Sequence, residues 1–151
     1  TVTLKDLQAS FTPDGGEIDW AKSKARGTNL RIALATLLKC FQYLHYFPSP
    51  KAIPPEIVEH VSASLGLPST SSLDYGGPLA DTMYRHHNAI RNLLGVHRYD
   101  DKTGRKLLMR VAHEAASVVN TRTDLINIAI NEMVRLGYEL PVFRTLDDIA
   151  E

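Results

Sequence analysis

Between Thr28 and Tyr46 apolar side chains return every third or fourth residue, at Leu30, Leu34, Leu37, Phe41 and Leu44. That spacing follows the 3.6-residue turn of an α-helix and gathers the five into one stripe, with Arg31, Lys39 and Gln42 around the opposite side. A helix with such a stripe has to be covered by other elements. The rest of the chain offers further helical periods and no convincing alternating strand, so the expected fold class is all-α, a bundle of about six to seven helices.

Stop and start signals place the other helices. Pro48 and Pro50 end the Thr28 helix, because proline lacks an N–H and disfavours helical geometry in the residue before it. After a loose start containing "TPDGGE", a short helix is expected over Glu17 to Ala25. In "IPPEIVEHVSASLGLP" the prolines 54 and 55 open a helix that buries Ile57, Val58, Val61 and Leu65, and Gly66 closes it. Pro78 is expected to open the next helix and Gly95 to close it. Further helices are expected from about Thr103 to Val119 and from Thr123 to Leu136, the latter capped by Gly137, with a last one starting at Thr145. "STSSLDYGG" is the one linker-like stretch, which suggests two lobes, 1–68 and 78–151, joined near 69–77. The paired helices with short turns are also compatible with helix-turn-helix readers, a pattern common to helical bundles in general.

At 151 residues the chain is long enough for a real core: a domain of this size buries about 70% of its unfolded surface. No apolar run approaches the roughly 20 residues that span a bilayer, and nothing resembles a signal peptide, so the expected location is the cytoplasm. One cysteine, Cys40, allows neither an internal disulfide nor a thiolate zinc cage, and its place in "LLKCFQYL" suggests a packed thiol. The chain starts without Met and stops at "TLDDIAE", as a section of a larger protein would.

Chemistry at a metal or nucleophile finds little to work with. His86 and His87 are adjacent, so on a helix they diverge by about 100° and cannot chelate one ion, which wants i, i+3 or i, i+4 spacing. There is no HExxH, no GxSxG and no phosphate-cradling glycine loop. The carboxylate pairs Asp100/Asp101 and Asp147/Asp148 sit where turns or helix N-termini account for them. The expectation is a non-catalytic chain with no metal and no cofactor.

The charge pattern is more informative. Seventeen basic and seventeen acidic side chains cancel overall, yet Ala21 to Pro55 contains no Asp or Glu against Lys22, Lys24, Arg26, Arg31, Lys39 and Lys51. From Arg85 to His113 the cations Arg85, Arg91, Arg98, Lys102, Arg105, Lys106 and Arg110 face only Asp100 and Asp101. A neutral average thus hides two basic blocks that can create a local anion-binding field. On the Thr103 helix a 100° rotation per residue puts Lys102, Lys106, Arg110 and His113 in one narrow sector. Leu107, Leu108, Val111, Ala115, Val118 and Val119 centre nearly opposite. A buried face backed by a cationic ridge is what docking on phosphates requires. An outward face is commonly charged in any helix, but ordinarily with both signs.

The candidate DNA-contacting set is Lys24, Arg26, Arg31, Lys39, Arg85, His86, Arg91, Arg98, Lys102, Arg105, Lys106 and Arg110. Within it Arg85, His86, Arg91, Arg98 and Arg105 are the candidates for reading grooves, since a guanidinium can make forked contacts to phosphate or guanine edges. His87 is expected to be packed or hydrogen-bonded. Tyr84 and Tyr99 could bond phosphate or simply pack.

Three stretches of the chain resemble, in order, the N-terminal region of the TnpA transposases of the Tn-three family, the replicative transposases that make cointegrates. They are "ARGTNLRIALATLLKCFQYLHYFPSPKAIPPEIVEHVSASLGLP", "DTMYRHHNAIRNLLGVHRY" and "LINIAINEMVRLGYELPVFRTLDDIAE". The likeness covers nearly the whole chain. It implies a region that binds the terminal inverted repeats of a transposon, with the Asp-Asp-Glu catalytic domain elsewhere in the protein. The residues it carries over are Thr82, Arg85, His86, His87 and Arg91; Met83 departs from it, standing where arginine is expected in relatives. The partners it implies are double-stranded DNA at the transposon ends and the remainder of the transposase, on the bacterial nucleoid. Homo-oligomerisation is left open. The rival reading is a helical protein-interaction or regulatory module for transpososome assembly.

Overall fold

The computed structural model describes residues 3–73, 75, 81–100, 102–116 and 121–141. Seven α-helices lie among them: α1 Leu4–Ser10, α2 Gly15–Lys24, α3 Thr28–Leu44, α4 Pro55–Ser64, α5 Asp81–Leu94, α6 Thr103–Ala116 and α7 Arg122–Arg135. A single 3-10 turn, Pro50–Ala52, separates α3 from α4. The chain is all-α, and the extended pairing found among the described residues is one isolated bridge between His97 and Tyr138. Pro78, Val118, Val119 and the helix expected from Thr145 lie outside the described residues.

Contacts divide the chain into two units, Thr1–Ile90 and Arg91–Glu151, so the division falls inside α5. Sequence punctuation points instead to Ser69–Gly77, a stretch of which Asp74, Gly76 and Gly77 are outside the described residues.

In the first unit the residues from Thr3 onward are ordered into a helix at once. Thr3 and Asp6 form a reciprocal capping box, each side chain accepting the other's backbone N–H, and this nucleates α1. Asp14 and Glu17 repeat the device, which is why α2 begins at Gly15, two residues before the expected start. α3 is the centre of this unit and packs against α2 and α4. Its buried surface is far wider than one stripe: Ile32 to Leu38, Cys40 and Phe41 are all buried. Leu30 and Leu44, at the ends of the expected stripe, are only half-buried. A helix apolar on most sides is one that neighbours enclose. Burying each of Leu34, Leu37, Leu38 and Phe41 contributes about 1.5–3 kcal/mol.

The α2–α3 turn depends on Gly27, whose φ of 81° and ψ of 160° place it in a region open essentially to glycine alone. α4 buries Ile57, Val58, Val61 and Ser62. It ends in a Schellman motif, with Gly66 N–H donating to Ala63 O and Leu67 N–H to Ser62 O.

The second unit is built on α6 against α7. Leu108 and Val111 of α6 meet Ile126, Ala129 and Met133 of α7, and Leu140 completes the cluster. Gly104 in the first turn of α6 lies under the ring of Tyr99, where an added Cβ would come 2.8 Å from Cδ2. α7 closes on Gly137 as the spacing implied, with Gly137 N–H bonded to Val134 O and Tyr138 N–H to Met133 O. The chain then returns beside residues 97–99. His97 N–H donates to Gly137 O and Glu139 N–H to His97 O, so the short exit strand is tied along its backbone.

Candidate nucleic-acid interface

The twelve candidate contact residues separate into those turned outward and those committed to the fold. Lys39 belongs to the second group. Its Nζ lies 3.1 Å from Glu17 Oε1, with both side chains only 12–14% exposed, and Gln42 Nε2 donates to Glu17 Oε2 at 2.7 Å. The polar side of α3 is therefore covered by α2, and the acid that neutralises Lys39 comes from the helix before it. Arg31 is half-buried, and its Nε donates to the carbonyl of Ala25, bracing the α2–α3 turn. Lys24 and Arg26, on either side of Ala25, are exposed.

Two of the candidates for groove reading are corrected in the same way. His86 is buried, 5% exposed, and its Nδ1 lies 2.7 Å from the hydroxyl of Tyr75. Burial pushes its pKa down to about 4, and the positive charge of Arg85 adds to the effect. The ring is thus neutral near neutral pH and can accept the phenolic proton of Tyr75, whose own pKa burial raises. A side chain held this way cannot reach a groove. Arg91 makes a two-pronged contact with Glu139, Nε to Oε2 at 3.0 Å and a terminal nitrogen to Oε1 at 3.1 Å, with both side chains 12–13% exposed. Glu139 also accepts from Tyr99 N–H at 3.3 Å. Arg91 is a half-buried tie within its unit, and the fork that suits phosphate is already filled by a carboxylate.

His87, expected to be packed, is half-buried and stacks on Phe47 with ring centroids 4.0 Å apart and planes inclined by 11°. Cys40 is buried, and desolvation raises its thiol to about 12, far from a reactive thiolate.

What remains outward is concentrated on α6. Lys102, Arg105, Lys106, Arg110 and His113 are all exposed, and Leu108, Val111, Ala112 and Ala115 are buried behind them. Among the described residues none of these four Lys and Arg side chains is paired with a carboxylate. Lys102, Arg105 and Lys106 border a shallow surface depression with Met109, itself 48% exposed. Asp100, two residues before Lys102, is turned to another task. Its carboxylate accepts N–H groups from Thr103 and Lys102, which caps α6 and holds its pKa below the ordinary range, with the charge of Arg98 as a minor contribution. Arg98 is exposed beside it, and Arg85 is exposed on α5 with its guanidinium bonded to Thr82 Oγ1 at 3.0 Å.

The sequence reading missed the carboxylates that do the pairing. Glu17 carries one signal, the Asp-x-x-Glu capping spacing, which marks a helix start and says nothing of Lys39. Glu139 carries none, since its partner is 48 residues away. Also missed was an apolar depression in the first unit, lined by Phe11, Cys40, Tyr43, Tyr46, Ile53 and Ile57 among others, with Tyr43 60% exposed.

Among the described residues no group of three or more His, Cys, Asp or Glu side chains could hold a metal ion, and no helix is long and apolar enough to cross a membrane. No curated protein matches the chain. A family model described as "Domain of unknown function (DUF4158)" matches residues 1–151, and the chain belongs to that family.

Proposed function

We propose that the chain binds double-stranded DNA, as the region of a replicative transposase that holds the terminal inverted repeats of its transposon. The observation that carries the reading is the α6 ridge. Lys102, Lys106 and Arg110 succeed one another at about 6 Å along the helix axis, all exposed, with no acid among the described residues paired to them. A surface helix that serves only solubility ordinarily mixes its charges, and pairs at i, i+4 stabilise it. Here Lys102, Lys106 and Arg110 carry like charge, with Glu114 the first acid after them on the helix, and the repulsion along the ridge is relieved by a polyanionic partner. The transposon ends as the specific target rest on the resemblance of the three ordered stretches. In this reading the chain positions DNA and carries no strand-transfer chemistry of its own.

The test is a gel-shift titration of the chain with a duplex from the ends of the element that encodes it and with a scrambled duplex, each at two salt concentrations. End-selective binding that weakens steeply with salt is the expected result; no binding to either duplex at low salt would overturn the reading. A second reading, a helical module that docks another part of the transpososome, is favoured by the apolar depression around Tyr43 and Tyr46, which are 60% and 39% exposed. It predicts that Tyr43→Ser leaves duplex binding intact and weakens assembly with the remainder of the transposase.

A further inference from the structure

On α6 a rotation of about 100° per residue sets Met109 inside the cationic sector, with Arg105 on one side of it, Lys106 and Arg110 on the other, and Lys102 two turns earlier nearly in line. Met109 is 48% exposed, the one large apolar side chain of this helix left in water, whereas Leu108 and Val111, close to it in the sequence, are turned into the core with α7. A single apolar side chain on a surface is ordinary. This one is set apart by its border: it shares a shallow depression with Lys102, Arg105 and Lys106, and none of those three meets a carboxylate among the described residues. The site is one of side chains, since the backbone N–H groups of Lys102 and Thr103 at the start of α6 are already taken by Asp100.

Cations on both sides of an apolar centre narrow down what fills the depression. A second copy of the chain does not bring the same face to it, because like charges would meet across the contact. A phosphate alone satisfies the cations and leaves the thioether in water. The major groove satisfies both. It is about 12 Å wide, the diameter of a helix with its side chains; its walls carry the phosphates of two strands, and the C5-methyl of thymine is an apolar group on its floor. Methionine suits that methyl, since its unbranched, polarisable side chain adapts to an irregular apolar surface.

We propose that α6 lies in the major groove of the duplex with Met109 packed on a thymine methyl, Lys106 and Arg110 on the phosphates of one strand and Arg105 on those of the other. The proposal rests on the DNA-binding reading above. It adds to that reading the helix that enters the groove and a side chain, absent from the candidate contacts, that selects thymine.

To test it, the wild-type chain is used to recover a preferred duplex from a pool with a randomised centre, and each thymine of that duplex is replaced in turn by deoxyuridine, which removes only the methyl. At one or two positions the replacement should weaken wild-type binding by about 4-fold, the worth of one buried carbon. Met109→Ala should bind the recovered duplex at least that much more weakly and lose nothing further at those uracil positions. It should keep the wild-type affinity for a scrambled duplex and the wild-type salt slope, because every cation is retained. The site is exposed and alanine is the better helix former, so the variant should melt close to the wild-type temperature, which separates a defect in reading from a defect in folding. Uracil sensitivity that persists unchanged in Met109→Ala would overturn the proposal. So would a wild type indifferent to every thymine methyl, the outcome expected if an acidic protein segment covers this face, and so would a loss shared equally by the recovered and scrambled duplexes. A wild type that binds duplex in a salt-dependent way but recovers no preferred sequence would overturn this inference alone. A wild type that binds no duplex would overturn the functional reading and this inference with it.

Discussion

Lys39 on α3 follows a Leu-Leu pair, and Lys106 on α6 precedes one. In one dimension the two lysines are alike, each set in an acid-free run beside an apolar stripe. In the folded units they are opposites. Lys39 is 12% exposed and held by Glu17, whereas Lys106 is exposed and has no carboxylate partner among the described residues. The difference comes from what covers each helix. α3 is enclosed over most of its surface, so a charge on it such as Lys39 leaves water together with a partner from α2. α6 has its apolar face covered by α7, and the face opposite stays in water. A run of like charge along a sequence therefore says little about a field; the field depends on which cations meet an acid from another helix.

The largest effect that would break this comparison is at Glu139. Glu139→Ala removes the carboxylate that makes the two-pronged contact with Arg91 and an acceptor from Tyr99 N–H, and should cost about 2–4 kcal/mol in urea unfolding. If the loss were under about 0.5 kcal/mol, as for an ordinary surface site, Arg91 would belong with the outward cations after all. Next in size is Gly27→Ala. It forces a side chain into backbone geometry that costs of order 1–3 kcal/mol and loosens the turn between the helices of Glu17 and Lys39. An unchanged melting temperature would show that this turn is not needed to hold the inward group.

The third concerns pH. His86 is neutral in the folded chain down to about pH 4, while its ordinary value is 6.5. The unfolded chain takes up the proton first as pH falls, so the stability contributed by neutral His86 is present above about pH 6.5, declines between 6.5 and 4, and is gone below. A melting temperature followed across that window should fall more steeply for the wild type than for His86→Phe. Parallel curves would mean that His86 is solvated and available for a groove.

Much of the architecture was legible because it is written in local signals. Period, proline and glycine located six of the helices, and Gly66, Gly95 and Gly137 close α4, α5 and α7 with positive φ. α1 was missed because its signal, the Thr3 and Asp6 capping box, precedes only one turn of periodic sequence. For the candidate site, the α6 ridge was legible because both its faces lie on one helix. His86 was misassigned, since a helical wheel gives angular position and not the neighbours: its burial depends on Tyr75, eleven residues upstream, and the packing of His87 depends on Phe47. Pairing of Lys39 and Arg91 required partners 22 and 48 residues away, which no spacing rule reaches.

The most direct measurement compares the two kinds of cation on the same footing. Duplex affinity is followed against salt concentration for the wild type, for Lys102→Ala/Lys106→Ala/Arg110→Ala and for Lys39→Met. Removing one phosphate-neutralising cation should reduce the log-log slope by about 0.9, so the triple variant should flatten it while Lys39→Met leaves it unchanged. A triple variant with the wild-type slope, or a Lys39→Met variant that flattens it as much, would contradict the division between inward and outward charge on which the account rests.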